Sequence, residues 1–212
     1  MEVLEYTRLS YDLGDQDPIF PGNPRNKIVE TNTIDKDGFV AHKLELFTHN
    51  GTHIDLPSHY LKTGKDVTAY NINDFIFKKI LLKKVDVKPG GKIEISNLEK
   101  EKDLLLIKTD LSRGNEDYLN PPFIDEETAK YIVGFDFKCL GIDCLSVSNP
   151  NHIKIGERVH KILLKNDIFI LEDLNLSDLD SNRKLFRLYV IPFFIKGIES
   201  SPCTVFGKFK QG

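Results

Sequence analysis

This chain of 212 residues has few cysteines, no long apolar run and no excess of charge of one sign. Its three cysteines, Cys139, Cys144 and Cys203, cannot all pair with one another, and none lies in a C-x-x-C arrangement. We therefore expect reduced thiols and a cytoplasmic location. Cys139 and Cys144 lie in apolar segments, where a cysteine usually behaves as a small hydrophobe rather than a nucleophile.

Signals for membranes and nucleic acids are also missing. No stretch of about 20 apolar residues occurs, which argues against a membrane span. Residues 1–6 are acidic and lack the basic start and apolar core of a signal peptide. The 29 basic and 32 acidic residues are interspersed and give a net charge of −3. The sequence therefore predicts no nucleic-acid-binding face.

Length and composition favour a single domain over residues 1–212. With 40% hydrophobic and 29% charged residues, the chain can bury a sizeable core. Apolar runs and alternation predict five strand regions, and acidic starts and helical spacing predict two helices. The predicted strands are 39–47, 76–87, 104–109, 139–143 and 167–172. The first has the alternating pattern of a half-buried strand, and the others are apolar runs. One predicted helix begins near Asp125, and the other covers 157–164.

Residues 48–59 hold three of the chain's six histidines together with Asp55, Gly51 and Pro57. Imidazole and carboxylate are ligands that zinc and its first-row neighbours prefer, and no cysteine lies nearby to build a closed structural site. The segment therefore predicts a catalytic metal site. A structural or regulatory metal site and a polar turn without metal are the alternatives.

Geometry constrains how this segment runs. In a straight strand, His49 and His53 would stand roughly 13 Å apart at about 3.3 Å per residue, too far to share one ion. The chain must bend, and Gly51 is the residue best suited to a positive φ. His53 and Asp55, two residues apart, can point to the same side of an extended segment. We expect a turn leading into a strand.

Two later residues have side chains of types that bind metals, and the predicted elements place them close together. His160 lies beside the apolar face of the predicted helix 157–164, and Glu172 ends a predicted buried strand. The order helix then strand would set them near each other. Taken singly, His160 could form hydrogen bonds within its helix, and Glu172 could be an exposed acid.

The segment 49–59, HNGTHIDLPSH, resembles the H-x-G-T-H-x-D-x-P-x-H signature of the cyclase family of metal-dependent hydrolases, which includes bacterial arylformamidase (kynurenine formamidase) and isatin hydrolase. Further segments resemble this family at 21–24 (PGNP), 141–146 (GIDCLS), 160–164 (HKILL) and 170–174 (ILEDL). The resemblance thus covers most of the chain. Departures occur at Ser148-Asn149, Asp110 and Cys203, and they bear on the substrate more than on the metals.

The resemblance implies an α/β fold of the swivelling β/β/α type, a single domain with a central mixed, barrel-like sheet flanked by helices. It implies one or two divalent cations per chain, Zn²⁺ or Mn²⁺. In the family pattern, His49, His53 and Asp55 hold one ion, Asp55 bridges to a second held by His160 and Glu172, and His59 is the general acid/base.

The expected reaction is hydrolysis of an amide or formamide of a small aromatic substrate by a metal-bound hydroxide, with His59 as proton shuttle. Hydrolysis of a cyclic amide or lactone, or a cyclisation, on the same scaffold is one alternative. A non-catalytic protein that binds a metal or small molecule is another.

Phe20 lies in the stiff segment 18–22, where no amphipathic pattern assigns its ring to a core. We interpret Phe20 as a wall of the substrate pocket or a dimer contact. The aromatic-rich segment around Tyr11 and Phe20 carries few charges, and together with the resemblance it predicts a homodimer or a dimer of dimers.

Overall fold

A computed structural model describes residues 4–179 and 184–210 of the chain. It contains eleven strands and three α-helices in that part. The strands are β1 (Leu4–Arg8), β2 (Lys27–Asn32), β3 (Ala41–Glu45), β4 (His53–Asp55), β5 (Ile76–Phe77), β6 (Ile80–Lys84), β7 (Leu104–Lys108), β8 (Cys139–Ile142), β9 (Phe169–Glu172), β10 (Lys184–Pro192) and β11 (Ser200–Lys210), and the helices are α1 (Ile34–Asp37), α2 (Glu126–Val133) and α3 (Ile153–Lys165).

Nine strands form one mixed sheet in the order β5-β10-β11-β4-β9-β8-β7-β6, with β1 added beside β11. Strands β6 to β9 are parallel to one another, whereas β4 is antiparallel to both β9 and β11. The two ends of this path, β5 and β6, are separated by only Lys78 and Lys79 in sequence, so the sheet nearly closes on itself. The expected mixed, barrel-like sheet is confirmed.

The central strand β7 is buried on both faces, as its apolar run predicts. Leu104 and Leu106 pack inside the curved sheet, whereas Leu105 and Ile107 pack beneath α2 and α3. Side chains alternate in this way because successive residues of a strand point to opposite faces. Fully burying each such side chain contributes about 1.5–3 kcal/mol to folding.

Both predicted helices are present. The Asp125 side chain accepts a hydrogen bond from the backbone N–H of Thr128 and so caps α2 at its start. Helix α3 begins at Ile153, earlier than predicted, because a 3-10 turn at Pro150–His152 leads directly into it. Within the described ranges, no helix is long and apolar enough to cross a bilayer.

The prediction of a half-buried strand over 39–47 is wrong in its extent and in its burial. Strand β3 covers only Ala41–Glu45 and pairs with β2 in a separate two-stranded sheet, where Leu44 is 57% exposed. Apolar alternation shows that one face is suited to burial, but it does not show whether the rest of the chain covers that face.

The predicted strand 76–87 is also wrong as a single element, because it divides into β5 and β6. At the division, the backbone N–H groups of Lys78 and Lys79 donate to the carboxylate of Asp103, at 3.0 and 2.8 Å. These two groups are therefore removed from strand pairing. The break allows β5 to pair with β10 while β6 pairs with β7.

Candidate active site

The first part of the histidine-rich segment forms the expected turn. The backbone N–H of Asn50 donates to the carbonyl of Phe47 at 3.1 Å, and Gly51 adopts φ +74°. This positive φ favours glycine, and a Cβ at Gly51 would also displace the end of the Leu13 side chain, whose Cδ1 would lie 2.7 Å away. The turn places His49 beside the strand that follows, β4.

Strand β4 lies between β11 and β9, and its register organises the site. His53 is paired directly with Glu172 on β9, and Asp55 is paired with Ile170. Because His53 and Asp55 are two residues apart, their side chains share one face of the sheet with Glu172. Helix α3 adds His160 to the same place.

Four side chains cluster around Asp55. Its Oδ1 lies 3.0 Å from Nδ1 of His49 and 3.5 Å from Nε2 of His53, and its Oδ2 lies 3.5 Å from Nε2 of His160. The Glu172 carboxylate lies 3.5 Å from Nε2 of His53 and 3.6 Å from Nε2 of His160. The predicted ligands therefore form one cluster.

Backbone carbonyls orient two of the histidines. Nδ1 of His53 lies 2.8 Å from the carbonyl oxygen of Gly51, and Nδ1 of His160 lies 2.9 Å from that of Gly156. Each Nδ1–H donates there, so both Nε2 atoms face the cluster. Metal-binding histidines commonly have this arrangement.

Glu172 is held from its other side. Its Oε1 accepts hydrogen bonds from the Ser146 hydroxyl at 2.9 Å and from the Val147 backbone N–H at 2.8 Å. Ser146 belongs to the segment GIDCLS, whose role the sequence analysis left open. The structure shows that this segment anchors the carboxylate.

The cluster has the properties of a cation site. Nε2 of His53 and Oδ1 of Asp55 are fully buried and make no hydrogen bond within the described part of the chain. Such orphaned polar atoms are costly to bury. Donor atoms that each lie about 2 Å from an ion stand roughly 3 Å apart, close to the separations here, so the residues fit a divalent metal.

In the part of the chain that the structure describes, two groups of three residues have potential ligand atoms that all lie within 4.8 Å of one another, and both groups include Asp55. They are His49, Asp55 and His59, and His53, Asp55 and Glu172. The shared carboxylate agrees with the expected bridging position. The grouping differs from the family pattern, because His53 joins Glu172 and His59 joins His49.

The ionisable groups of the cluster shift one another's pKa values. Burial alone lowers the pKa of His49, but the carboxylates of Asp55 and Glu199 raise it to about 10. Burial likewise opposes the charged form of His160, whose bonds to Asp55 and Glu172 raise its pKa to about 10. Burial favours protonation of Asp55, yet the neighbouring histidines hold its pKa well below the usual range. A bound cation would replace these protons.

His59 differs from the other histidines of the site. Burial, together with the positive charges of His49 and His160, lowers the pKa of His59 to about 4 despite the nearby carboxylates. Its ring lies 4.2 Å from the His49 ring between centroids. A histidine with this pKa is neutral at pH 7.

A cavity of about 310 Å³ opens onto the cluster. Its size is within the range of small-molecule sites. Phe20, which the sequence analysis placed in a pocket wall or a dimer contact, lines this cavity. Further residues of the cavity wall were not predicted from the sequence: Asn23, Phe47, Tyr60, Leu145, Ile153 and Glu199.

The positions that depart from the family pattern do not all reach the cavity. Ser148 lines it, but Asp110, Asn149 and Cys203 are not among the lining residues. Asn149 instead donates to the Pro121 carbonyl at 2.6 Å, and the Cys203 backbone N–H donates to the Thr52 carbonyl. Asn149 and Cys203 therefore belong to the structure around the cavity rather than to its wall.

A barrel-like mixed sheet that carries a buried imidazole–carboxylate cluster under an aromatic cavity defines the class of metal-dependent hydrolases. The chain belongs to the cyclase family: the family model described as "Putative cyclase" matches residues 7–149.

Relatives agree with this assignment. The chain is 30% identical over 212 aligned positions to the protein MJ0783 of Methanocaldococcus jannaschii, covering 95% of this chain and 96% of that one. It is 27% identical to the kynurenine formamidase of Erythrobacter litoralis, covering 88% and 85%. Isatin hydrolase A from Labrenzia aggregata, bound to benzyl benzoate, shares the fold with a TM-score of 0.80 at 19% identity, covering 98% and 94%.

Proposed function

We propose that this protein hydrolyses the amide or formamide bond of a small aromatic substrate, as a kynurenine formamidase does. The observation that carries the proposal is the position of neutral His59 at the cavity, beside the Asp55-centred cluster. The similarity to kynurenine formamidases supports the substrate class. We further propose Zn²⁺ or Mn²⁺ as the bound ion, since both accept imidazole and carboxylate ligands.

The cluster residues would hold the cation at two positions that share Asp55. Asp55 would bridge two sites, with His49 on one side and His160 on the other, because its two oxygens face different histidines. A divalent cation held there supplies Lewis acidity toward the substrate carbonyl and acidifies a coordinated water. The buried position of the cluster strengthens these electrostatic effects.

His59 would move the proton. As a neutral imidazole at pH 7, it accepts the proton of the attacking water and then donates it to the departing nitrogen. The cavity wall beside it contributes the rings of Phe20, Phe47 and Tyr60, which suit the flat faces of an aromatic substrate. These rings would also exclude bulk water from the reacting carbonyl.

A second candidate is hydrolysis of a cyclic amide such as isatin. The shared fold with isatin hydrolase A supports it, and so does the modest size of the cavity, which suits a compact bicyclic ring. Hydrolysis of lactones, a cyclisation, and metal or small-molecule binding without catalysis are the remaining alternatives on this scaffold.

A substrate panel tests the proposal. The purified protein, stripped with a chelator and reloaded with Zn²⁺ or Mn²⁺, is assayed on N-formylkynurenine, isatin and simple lactones. We expect turnover of N-formylkynurenine that disappears on stripping and returns on reloading. Turnover of lactones alone would overturn the substrate class, and full activity of the stripped protein would overturn the metal-dependent mechanism.

A further inference from the structure

His49 lies between two carboxylates that come from distant parts of the chain. Its Nδ1 lies 3.0 Å from Oδ1 of Asp55, and its Nε2 lies 3.1 Å from Oε1 of Glu199. Nδ1 therefore faces the ligand cluster, whereas Nε2 faces away from it. Glu199 is 150 residues from His49 in sequence and immediately precedes β11.

His49 is the ligand candidate with the least support from its own backbone. It lies in a turn, whereas His53 is in a strand and His160 is in a helix. The latter two also direct Nδ1–H to neutral carbonyls close in sequence. The ring nitrogen of His49 that faces away from the cluster, Nε2, instead meets the carboxylate of Glu199. The orientation of His49 therefore depends on a side chain rather than on secondary structure.

Glu199 is itself well anchored. Its Oε1 accepts a hydrogen bond from the Thr48 hydroxyl at 2.8 Å, and its carbonyl oxygen accepts one from the backbone N–H of Leu56 at 3.0 Å. The next residue, Ser200, is paired with Asp55 between β11 and β4. The backbone of Glu199 is thus tied to the strand that carries Asp55, at a fixed distance from the cluster.

We propose that Glu199 is a positioning residue that accepts a hydrogen bond from the Nε2–H of His49. This hydrogen bond directs Nδ1 toward the bound cation and makes that nitrogen a stronger electron-pair donor to it. This inference rests on the proposed function, because it needs a cation at the cluster. A carboxylate polarises the imidazole more than a carbonyl does. His49 would therefore be the histidine whose donor strength depends most on a side-chain partner.

The direct test is the affinity for Zn²⁺, measured by competition with a chromophoric chelator at constant pH. We expect Glu199→Ala to weaken Zn²⁺ binding about 10–100-fold, the usual effect of losing such a partner. Glu199→Gln keeps the shape and one acceptor oxygen, so we expect a smaller loss. The backbone hydrogen bond to Leu56 survives both changes, and circular dichroism checks the fold.

Two comparisons separate positioning from other roles. Glu126→Gln is the matched control, because Glu126 has the same 36% side-chain exposure but pairs with Arg158 on the outer helices. We expect it to leave affinity unchanged. In a His49→Ala background, Glu199→Ala should change affinity less than about twofold, because contacts that act through one residue are not additive.

The outcomes are distinct. If wild-type protein binds Zn²⁺ and Glu199→Ala binds it equally well, the positioning role is overturned while the proposed function stands. A full additional loss in the His49→Ala background would also overturn it, because Glu199 would then act without His49. Wild-type protein that binds no divalent cation would instead overturn the proposed function itself.

Discussion

Arg113 forms an ion pair with Asp173, the residue that directly follows Glu172 in the chain. Nε and Nη2 of Arg113 lie 3.0 and 2.7 Å from Oδ2 of Asp173, and the Tyr118 hydroxyl donates to Oδ1 at 2.8 Å. Asp173 adopts φ +56°, a left-handed conformation that a non-glycine residue keeps only where its surroundings enforce it. This interaction therefore holds the backbone that presents Glu172.

Arg113→Ala should lower the free energy of unfolding by about 3–5 kcal/mol, because it leaves the buried Asp173 carboxylate without its cation. The Arg113 and Asp173 side chains are only 12% and 1% exposed. Urea denaturation measures the change. Arg158→Ala removes the exposed pair with Glu126 and should cost no more than about 1 kcal/mol. Equal losses in the two variants would contradict the role given to Arg113.

Asp55→Ala should abolish binding at both ion positions, because the Asp55 carboxylate faces each group of candidate ligands. Elemental analysis of the purified variant measures the metal content, against one to two ions per chain in the wild type. Asp110→Ala, which removes an exposed carboxylate paired with Lys84, serves as control and should keep its metal. Full metal in Asp55→Ala would exclude the bridging role.

His59→Ala should keep its metal and lose about 10²–10⁴-fold in kcat, the usual contribution of a general acid/base. His42→Ala, which removes an exposed histidine on β3, should leave kcat unchanged. Metal content is measured on the same preparations. Loss of metal from His59→Ala would make His59 a ligand, which its place in one of the two ligand groups allows.

The stability of the metal-free protein should depend on pH in two directions. The pKa values of His49 and His160 are raised from 6.5 to about 10, so their contribution is complete below pH 6.5 and is lost as pH rises toward 10. Chiefly through its hydrogen bond with His49, the pKa of Glu199 is lowered from 4.5 to about 2, so its contribution is lost as pH falls from 4.5 toward 2. Thermal unfolding should therefore show the greatest stability between pH 4.5 and pH 6.5.

Bound Zn²⁺ should alter the alkaline side of that profile, because the cation replaces the protons of His49 and His160. The difference in Tm between loaded and metal-free protein should widen from pH 6 to pH 9. A constant difference over this interval would show that the histidines release no protons on metal binding.

We propose that the chain forms a homodimer through the hairpin of β2 and β3, not through the segment around Tyr11 and Phe20 that the sequence suggested, since Phe20 lines the cavity. Ile28 and Leu44 are paired across this hairpin and exposed, and a two-stranded sheet is only marginally stable without a partner surface. Ile28→Ser combined with Leu44→Ser should produce monomers in sedimentation velocity at micromolar concentration. Leu119→Ser removes a leucine that is similarly exposed elsewhere and should leave the dimer intact. A monomeric wild type would refute the proposal.

Local sequence was sufficient for several elements of the fold and for the chemistry of the site. Helix α2 follows from the capping residue Asp125, and β7 follows from its uninterrupted apolar run. The turn at Gly51 follows from the requirement that His49 and His53 approach one another. In each case, the deciding interactions lie within a few residues.

Local patterns failed where distant groups decide the outcome. The Asp103 carboxylate divides the predicted strand 76–87 by accepting the N–H groups of Lys78 and Lys79. The alternation in β3 resembles that of a half-buried strand, but the main sheet pairs with other segments and leaves this hairpin exposed.

The sequence by itself determined which candidate ligands the site contains, because one short motif carries His49, His53, Asp55 and His59, with the family resemblance pointing to His160 and Glu172. Only the tertiary structure decided which of these atoms meet. The pairing of β4 with β9 sets His53 opposite Glu172, and the pairing of β4 with β11 brings Glu199 to His49. Strand register acts between residues more than 100 positions apart, and no local pattern encodes it.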